Sequence, residues 1–281
     1  MYNVTNMAGD EYLRRILQWR KDMDANLRRE NDLLAMEGVF WLKKGRNTLG
    51  SSRDSDIIFP KHAPRLLGAL ELDDASVVTL HLDYGQSALL NGQPIQASTV
   101  LKHDQEDCPS VAKFGDLSIV VFHRGDKVGI RLWDNARSRT YPPRAWFPID
   151  EGFRVSAQYT PYPIATKVKV PNVLGEIEDD YVQGFVSFKF QGRACRLDAA
   201  ELEDASLSFH FQDLTNSHQT YPNGRYLNTE PMGKDGQVFL DFNQAYNPPS
   251  AFTQYALCTF APELNHLKVP VEAGELYTVH K

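Results

Sequence analysis

The chain has 281 residues, 42% of them hydrophobic and 23% charged, with 30 basic residues against 36 acidic ones. A formal charge of −6 argues against a nucleic-acid or anionic-membrane surface, and the apolar content excludes global disorder. The length is enough for two domains, each with its own core.

Residues 1–30 carry charges throughout and contain no apolar h-region, so no signal peptide is expected. Asp10–Glu30 reads as an amphipathic helix, with Leu13, Ile16, Leu17, Met23 and Leu27 at helical spacing among charged positions. From Gly38 the period changes. GVFWLKKGRNTLGSS, DIIF, GALEL and SVVTLHL are short β-type runs separated by turn residues. Asn91-Gly92 is the strongest hairpin signal in the chain, and LSIVVFHRGDKVGIRLWD reads as a second hairpin. Its apolar run, Leu117–Phe122, is too short to span a bilayer.

NARSRTYPPRAW then suits a short, stiff connector. RVSAQY, KVKV, GFVSFKF, SLSFHF, GRYLN and QVFLDF follow, again strand-like. The expected architecture is mainly β: an N-terminal helix over residues 1–33, a β-sandwich over 34–139, and a second antiparallel, barrel-like domain over 140–281.

Cys108, Cys195 and Cys258 are far apart and form no CxxC pair. That argues against a disulfide framework or a cysteine-rich zinc site and fits a reducing, cytoplasmic setting. No P-loop, GxGxxG, HExxH or GxSxG occurs. Only His210 and His218 lie near one another among the histidines, at no metal-ligand spacing. No cofactor and no catalytic metal are expected, and no nucleic-acid or membrane partner.

GRNTLGSSRDSDIIFP, the Asn-Gly hairpin and FGDLSIVVF together resemble a forkhead-associated (FHA) sandwich. That resemblance implies phosphothreonine binding through an Arg after a Gly in the first loop and a Ser and a His in the next. Here Ser51 follows Gly50, and the second loop reads HAPRLLG. Arg53 or Arg65 is left as the only candidate phosphate grip.

In SLSFHF, Leu207, Phe209 and Phe211 share one face, and Ser206, Ser208 and His210 the other. Pro222 and Gly224 mark a turn from which Arg225 leaves. If the following strands pair as a meander, Arg225, Asp241 and His210 converge on one face or barrel end. Pro248-Pro249 stiffens the loop after Asp241, which has two readings: a structural corner, or a rigid rim presenting amides and charges to a polar ligand.

FQDLTNSHQTYPNGRYL and LDFNQAYNPPSAFTQYALC, with APELNHL and VEAGE beyond, resemble the DUF1684 family, as do GVFWLKKGRNTLGSS and FGDLSIVVFHRGDKVGIRLWD nearer the N-terminus. The resemblance places family motif positions on Asp213, Thr215, Thr220, Tyr221, Arg225, Asp241, Asn243, Asn247, Thr253, Asn265, Glu272 and Glu275. Two positions depart from the family pattern: Ser250 stands where a Cys is usual, and Ser217 where a Gly is favoured. The family supplies no known activity.

The resulting expectation is a binding protein for a small polar or anionic ligand. Tyr221, Arg225, Asp241, Asn243 and Asn247 form its site, with His210, Asp213 and Glu275 as further candidates. One alternative is a cofactor-independent hydrolase using His210 or Asp241 as base beside Arg225. Another is a phosphopeptide-binding module using Arg53 or Arg65.

Overall fold

The computed structural model describes residues 4–95 and 98–278. The chain divides into two compact units: Leu27–Tyr141, and the residues up to Asn26 together with the chain from Pro142 onward.

Helix α1 spans Val4–Leu27. Of the expected stripe, Ile16 and Leu27 are buried, but Leu13 and Leu17 are exposed. The packed stripe runs through Tyr12, Ile16, Trp19 and Met23, again at helical spacing. It prevails because Tyr12 reaches Asp241 and Trp19 packs on Trp146 and Tyr246. Amphipathic aromatics thus displace leucines from the buried face.

The unit Leu27–Tyr141 is a sandwich of eleven strands. In chain order they are β1 (Met36–Trp41), β2 (Gly45–Gly50), β3 (Ile57–Ile58), β4 (Gly68–Leu72), β5 (Val78–Leu82) and β6 (Ala88–Leu90). They continue with β7 (Gln93–Ile95), β8 (Ser98–Leu101), β9 (Ala112–Phe114), β10 (Leu117–Arg124) and β11 (Lys127–Asp134). One sheet runs β1-β11-β10-β9-β6-β7 and the other β3-β2-β4-β5-β8. Alternation along the strands sends Leu70, Leu80, Ile119, Val121, Ile130 and Leu132 into one shared core. Asn91-Gly92 forms the expected turn, with φ of 47° and 83°. Where a connector was expected, the chain forms a six-residue helix, α2 (Asn135–Thr140). Asp134 caps it by accepting from the Ala136 N–H at 3.1 Å, and Pro142-Pro143 stop it.

The second β unit holds β12 (Arg154–Pro171), β13 (Ile177–Phe190), β14 (Arg193–Glu201), β15 (Leu207–Phe211), β16 (Arg225–Asn228) and β17 (Gln237–Asp241). They form one curled antiparallel sheet, a half-barrel, in the order β16-β15-β14-β13-β12-β17. Its inner face carries Val186, Phe188, Leu197, Phe209, Phe211, Leu227 and Leu240. After β17 the described residues form short 3₁₀ turns, at Phe242–Gln244, Pro249–Ala251 and Glu263–Asn265, and isolated bridges such as Gln212 with His266. Yet Leu267, Val269, Val271 and Ala273, at strand-like alternation, are buried in the same core. An extended strap, in place of further ladder strands, completes the half-barrel.

Candidate functional site

A strap without a ladder must satisfy its backbone groups by other means, because an unpaired buried N–H or C=O is costly. The backbones of Gln212, Leu214 and Ala245 partner Leu267, Val269 and Glu275, and side chains of the motif positions supply further partners. Arg225 donates to the carbonyls of Ala273 and, at 2.9 Å, Val271, and pairs with Asp213 at 2.8 Å. The other Asp213 oxygen accepts from the N–H groups of Val271 at 3.0 Å and Thr215 at 2.8 Å. Both side chains of this ion pair are 0% exposed. Burial pulls the Arg225 pKa down, and the Asp213 carboxylate opposes that shift.

The remaining predicted residues are held in the same manner. The Asn247 N–H donates to Glu275 at 2.7 Å, and its side-chain amide donates to the Leu276 carbonyl at 3.0 Å. Glu275 is gripped by both arms of the Arg144 guanidinium. Burial pushes the Glu275 carboxyl upward, and Arg144 counters it. Asn265 braces the strap start, donating to the carbonyls of Asp198 at 2.9 Å and His210 at 3.0 Å. Tyr221 packs its ring on Tyr277 at 4.9 Å and donates to Ser250 at 3.2 Å. Ser217, where the family favours glycine, has φ of 68°, the region in which a side chain is strained and glycine is not.

The expected pairing of Arg225 with Asp241 does not form. A meander would put β16 beside β17, but they occupy opposite ends of the sheet order. Asp241 instead accepts from the Tyr12 hydroxyl at 2.9 and 3.0 Å and from the Asn243 N–H at 3.2 Å. Asn243 donates to the Asp150 carbonyl at 2.8 Å and to the Tyr12 hydroxyl at 2.9 Å. Burial, and then the charge of Asp241, push the Tyr12 phenol well above its ordinary range.

Nor do His210 and Arg225 share a face. Arg225 registers with Phe211 and points inward, whereas His210 registers with Tyr226 on the other side of the sheet. Neither ring nitrogen of His210 has a well-formed hydrogen bond. Burial pushes its pKa down to about 4, reinforced by His266 and opposed by the Asn223 backbone. The folded protein therefore holds this imidazole neutral, and its contribution to stability is fully present above the free-histidine pKa of roughly 6.5. It is lost as pH falls toward about 4. Between pH 7 and pH 5, native protein is expected to lose about 2 kcal/mol more stability than His210→Gln. Urea titrations at the two pH values check this; equal losses would mean that the imidazole is not held neutral.

Residues of α1, the segment just after Leu227, and the Gln244–Tyr246 part of the second motif stretch line a cleft. Its walls are Trp19 and Met23 of α1, the run Asn228, Thr229 and Glu230, and Gln244 and Tyr246, around a volume of about 330 Å³. None of the five predicted ligand residues lines it. The Trp19 and Tyr246 rings stand 6.4 Å apart at 61°. Trp19 is fixed from behind by the edge of Trp146, at 5.5 Å. Asn228 donates to the Tyr246 hydroxyl at 3.3 Å, and Arg15 pairs with Glu230 at 2.8 Å. Burial raises the Tyr246 pKa, so its hydroxyl keeps its proton and can donate.

The aromatic signal at Trp19 was available in the sequence but was overshadowed by the leucines. Asn228, Thr229 and Glu230 carry no pattern of their own.

The sandwich has a second cleft, of about 370 Å³, lined by Val77, Val100, Lys102, His103, Glu106 and His123, among others. The two imidazoles stack at 4.0 Å, and burial followed by His103 pushes His123 down. Arg53 and Arg65 are exposed on the sandwich loops. The nearby loop residue Ser51 has its hydroxyl engaged, donating to the Ala63 carbonyl at 2.8 Å. Among the described residues no group of three or more His, Cys, Asp or Glu is placed to hold a metal ion. No helix among them is long and apolar enough to cross a membrane.

A buried-motif strap closing a curled sheet, with an aromatic cleft on its outer side, defines the C-terminal half as one structural class. Residues 139–276 match the model of the DUF1684 family, described as a protein of unknown function. The sandwich blocks that also resemble the family lie outside the match. An uncharacterised protein from Haloarcula marismortui, solved by NMR, is similar at 28% identity and a TM-score of 0.42, covering 50% of this chain and 80% of that one. The FHA domain of FhaA, solved in complex with an intracellular domain, is similar at 15% identity and a TM-score of 0.24, covering 34% of this chain and 96% of that one. The curated proteins gave no match.

Proposed function

We propose that this is a binding protein for a small polar molecule, taken up in the cleft between α1 and the Asn228–Glu230 and Gln244–Tyr246 segments. The observation that carries the reading is the pair of angled aromatic rings facing convergent amide and hydroxyl groups in one concavity. Small-molecule sites are typically apolar clefts with a few placed polar groups. In this reading Tyr221, Arg225, Asp241, Asn243 and Asn247 act from behind. They fix the strap and the turn that present Gln244 and Tyr246. Three unpaired cysteines fit a cytoplasmic setting.

A thermal-shift screen against a metabolite panel tests the proposal. A ligand at a hundred times its Kd adds roughly 2.7 kcal/mol to apparent stability, a shift of several degrees for a chain of this size. Gln244→Ala and Asn228→Ala, both outside the core, should keep the unliganded melting temperature and lose most of the shift. A shift untouched by either substitution would place the ligand elsewhere and end this reading.

A further inference from the structure

Resting on that reading, we infer that the cleft takes a neutral cyclic polyol of the saccharide class. Three features of the lining point there.

The first is the walls. Trp19 and Tyr246, packed edge to face on one another, form one apolar aromatic side of the cleft, and a sugar ring carries its C–H groups on its faces and its hydroxyls around its rim. Such a ring can lay C–H groups on the electron-rich aromatic face while its rim stays polar. A fully apolar ligand would leave the amides unpaired, at a cost.

The second is the balance of donors and acceptors. A hydroxyl both donates and accepts, so its best partners do both. The Gln244 amide brings an acceptor and two donors. Asn228 spends one donor on Tyr246 and keeps its carbonyl oxygen. The Tyr246 hydroxyl, having accepted from Asn228, has its proton to give. Thr229 accepts from the Leu207 N–H at 2.9 Å, which leaves its hydroxyl proton to be donated. Glu230 offers its second carboxylate oxygen, the first being taken by Arg15.

The third is charge. Among the described residues Glu230 is the one ionised group lining the cleft, and Arg15 answers it. The Arg15 guanidinium also lies 3.9 Å from Asp241. An anionic ligand would find no uncommitted cation, and a cationic one would compete with Arg15 for Glu230. A neutral ligand with many hydroxyls meets neither obstacle.

Saturation-transfer NMR on the full chain supplies the test. The probes are glucose, galactose, xylose, myo-inositol and maltose, set against tetramethylammonium, acetate and inorganic phosphate. At least one of the five polyols is expected to bind, with affinity falling about tenfold or more in Gln244→Ala and in Asn228→Ala. Trp19→Phe, which keeps an aromatic wall, should retain more binding than Trp19→Ala; the Gln244→Ala and Asn228→Ala variants decide the case if Trp19→Ala does not fold. Binding of tetramethylammonium or an anion in place of every polyol, and sensitive to Gln244→Ala, would overturn the saccharide assignment and leave the cleft standing as a ligand site. Polyol binding that ignores both Gln244→Ala and Asn228→Ala overturns the inference, as does no polyol binding at all. In that last case the metabolite panel separately decides whether the cleft binds anything.

Discussion

Arg225→Ala is expected to destabilise the C-terminal unit by about 3–5 kcal/mol. The guanidinium and the Asp213 carboxylate are both fully buried, so alanine leaves an uncompensated charge in a place water does not reach. The same substitution removes the donors that satisfy the Val271 and Ala273 carbonyls. Asp213→Ala should cost a similar amount, since it orphans Arg225 and the Val271 N–H together. The double variant should cost clearly less than the two single changes added, because both break one network. Chemical denaturation of the four proteins checks this. A loss below about 1 kcal/mol for Arg225→Ala would mean the pair is solvated and the strap is held by something else.

Phe242→Ala should be comparably severe, at about 3–5 kcal/mol. Phe242 opens the turn after β17 and is 0% exposed, with its ring 5.5 to 6.2 Å from those of Phe188, Phe190 and Phe211. Truncation removes apolar area from the core and leaves a cavity that the surrounding strands β13 and β15 cannot readily collapse. Because this ring anchors the turn bearing Gln244 and Tyr246, ligand response should weaken along with stability. Phe242→Leu, which keeps much of the volume, should recover most of both. If Phe242→Ala melted like the native protein, the core packing described for this turn would be wrong.

Much of the architecture could be read from alternation. The inward set of β15 and the Asn91-Gly92 turn follow directly from a period of two and from turn chemistry. The neighbours of each strand did not follow from it. Arg225 and Asp241 looked like partners because consecutive strands usually pair, yet β17 crosses to the far end of the sheet and pairs with β12. The ion pair that does form joins Arg225 to Asp213, twelve residues upstream, across a turn whose course only the folded chain reveals. Pro248-Pro249 opens a short 3₁₀ turn, and two prolines alone do not distinguish a corner from a rim. The strap was illegible for a different reason. Leu267, Val269, Val271 and Ala273 alternate as a strand would, but their partners are the backbone of Gln212 and Leu214 at one end and the side chains of Asp213 and Arg225 at the other, and no local pattern encodes that.

The helix misreading has the same root. Leu13 and Leu17 have the spacing of a buried face, and Tyr12 and Trp19 have it too. Partners on the sheet decide between them: Asp241 for the phenol, Trp146 and Tyr246 for the indole. A polar-tipped aromatic is stabilised where its tip is bonded and its body covered, and that condition lies outside the helix sequence.

The most direct test of the account is ¹H–¹⁵N mapping of the full chain while ligand-panel members are added. The account predicts that shifts concentrate on the side-chain amides of Asn228 and Gln244, the Trp19 indole N–H and the Tyr246 backbone, and saturate together. Val271, Asn247 and the Arg225 guanidinium should remain nearly still. Shifts concentrated instead around Val77, Val100, His103 and His123 of the sandwich, or on Arg225 and the strap, would contradict it.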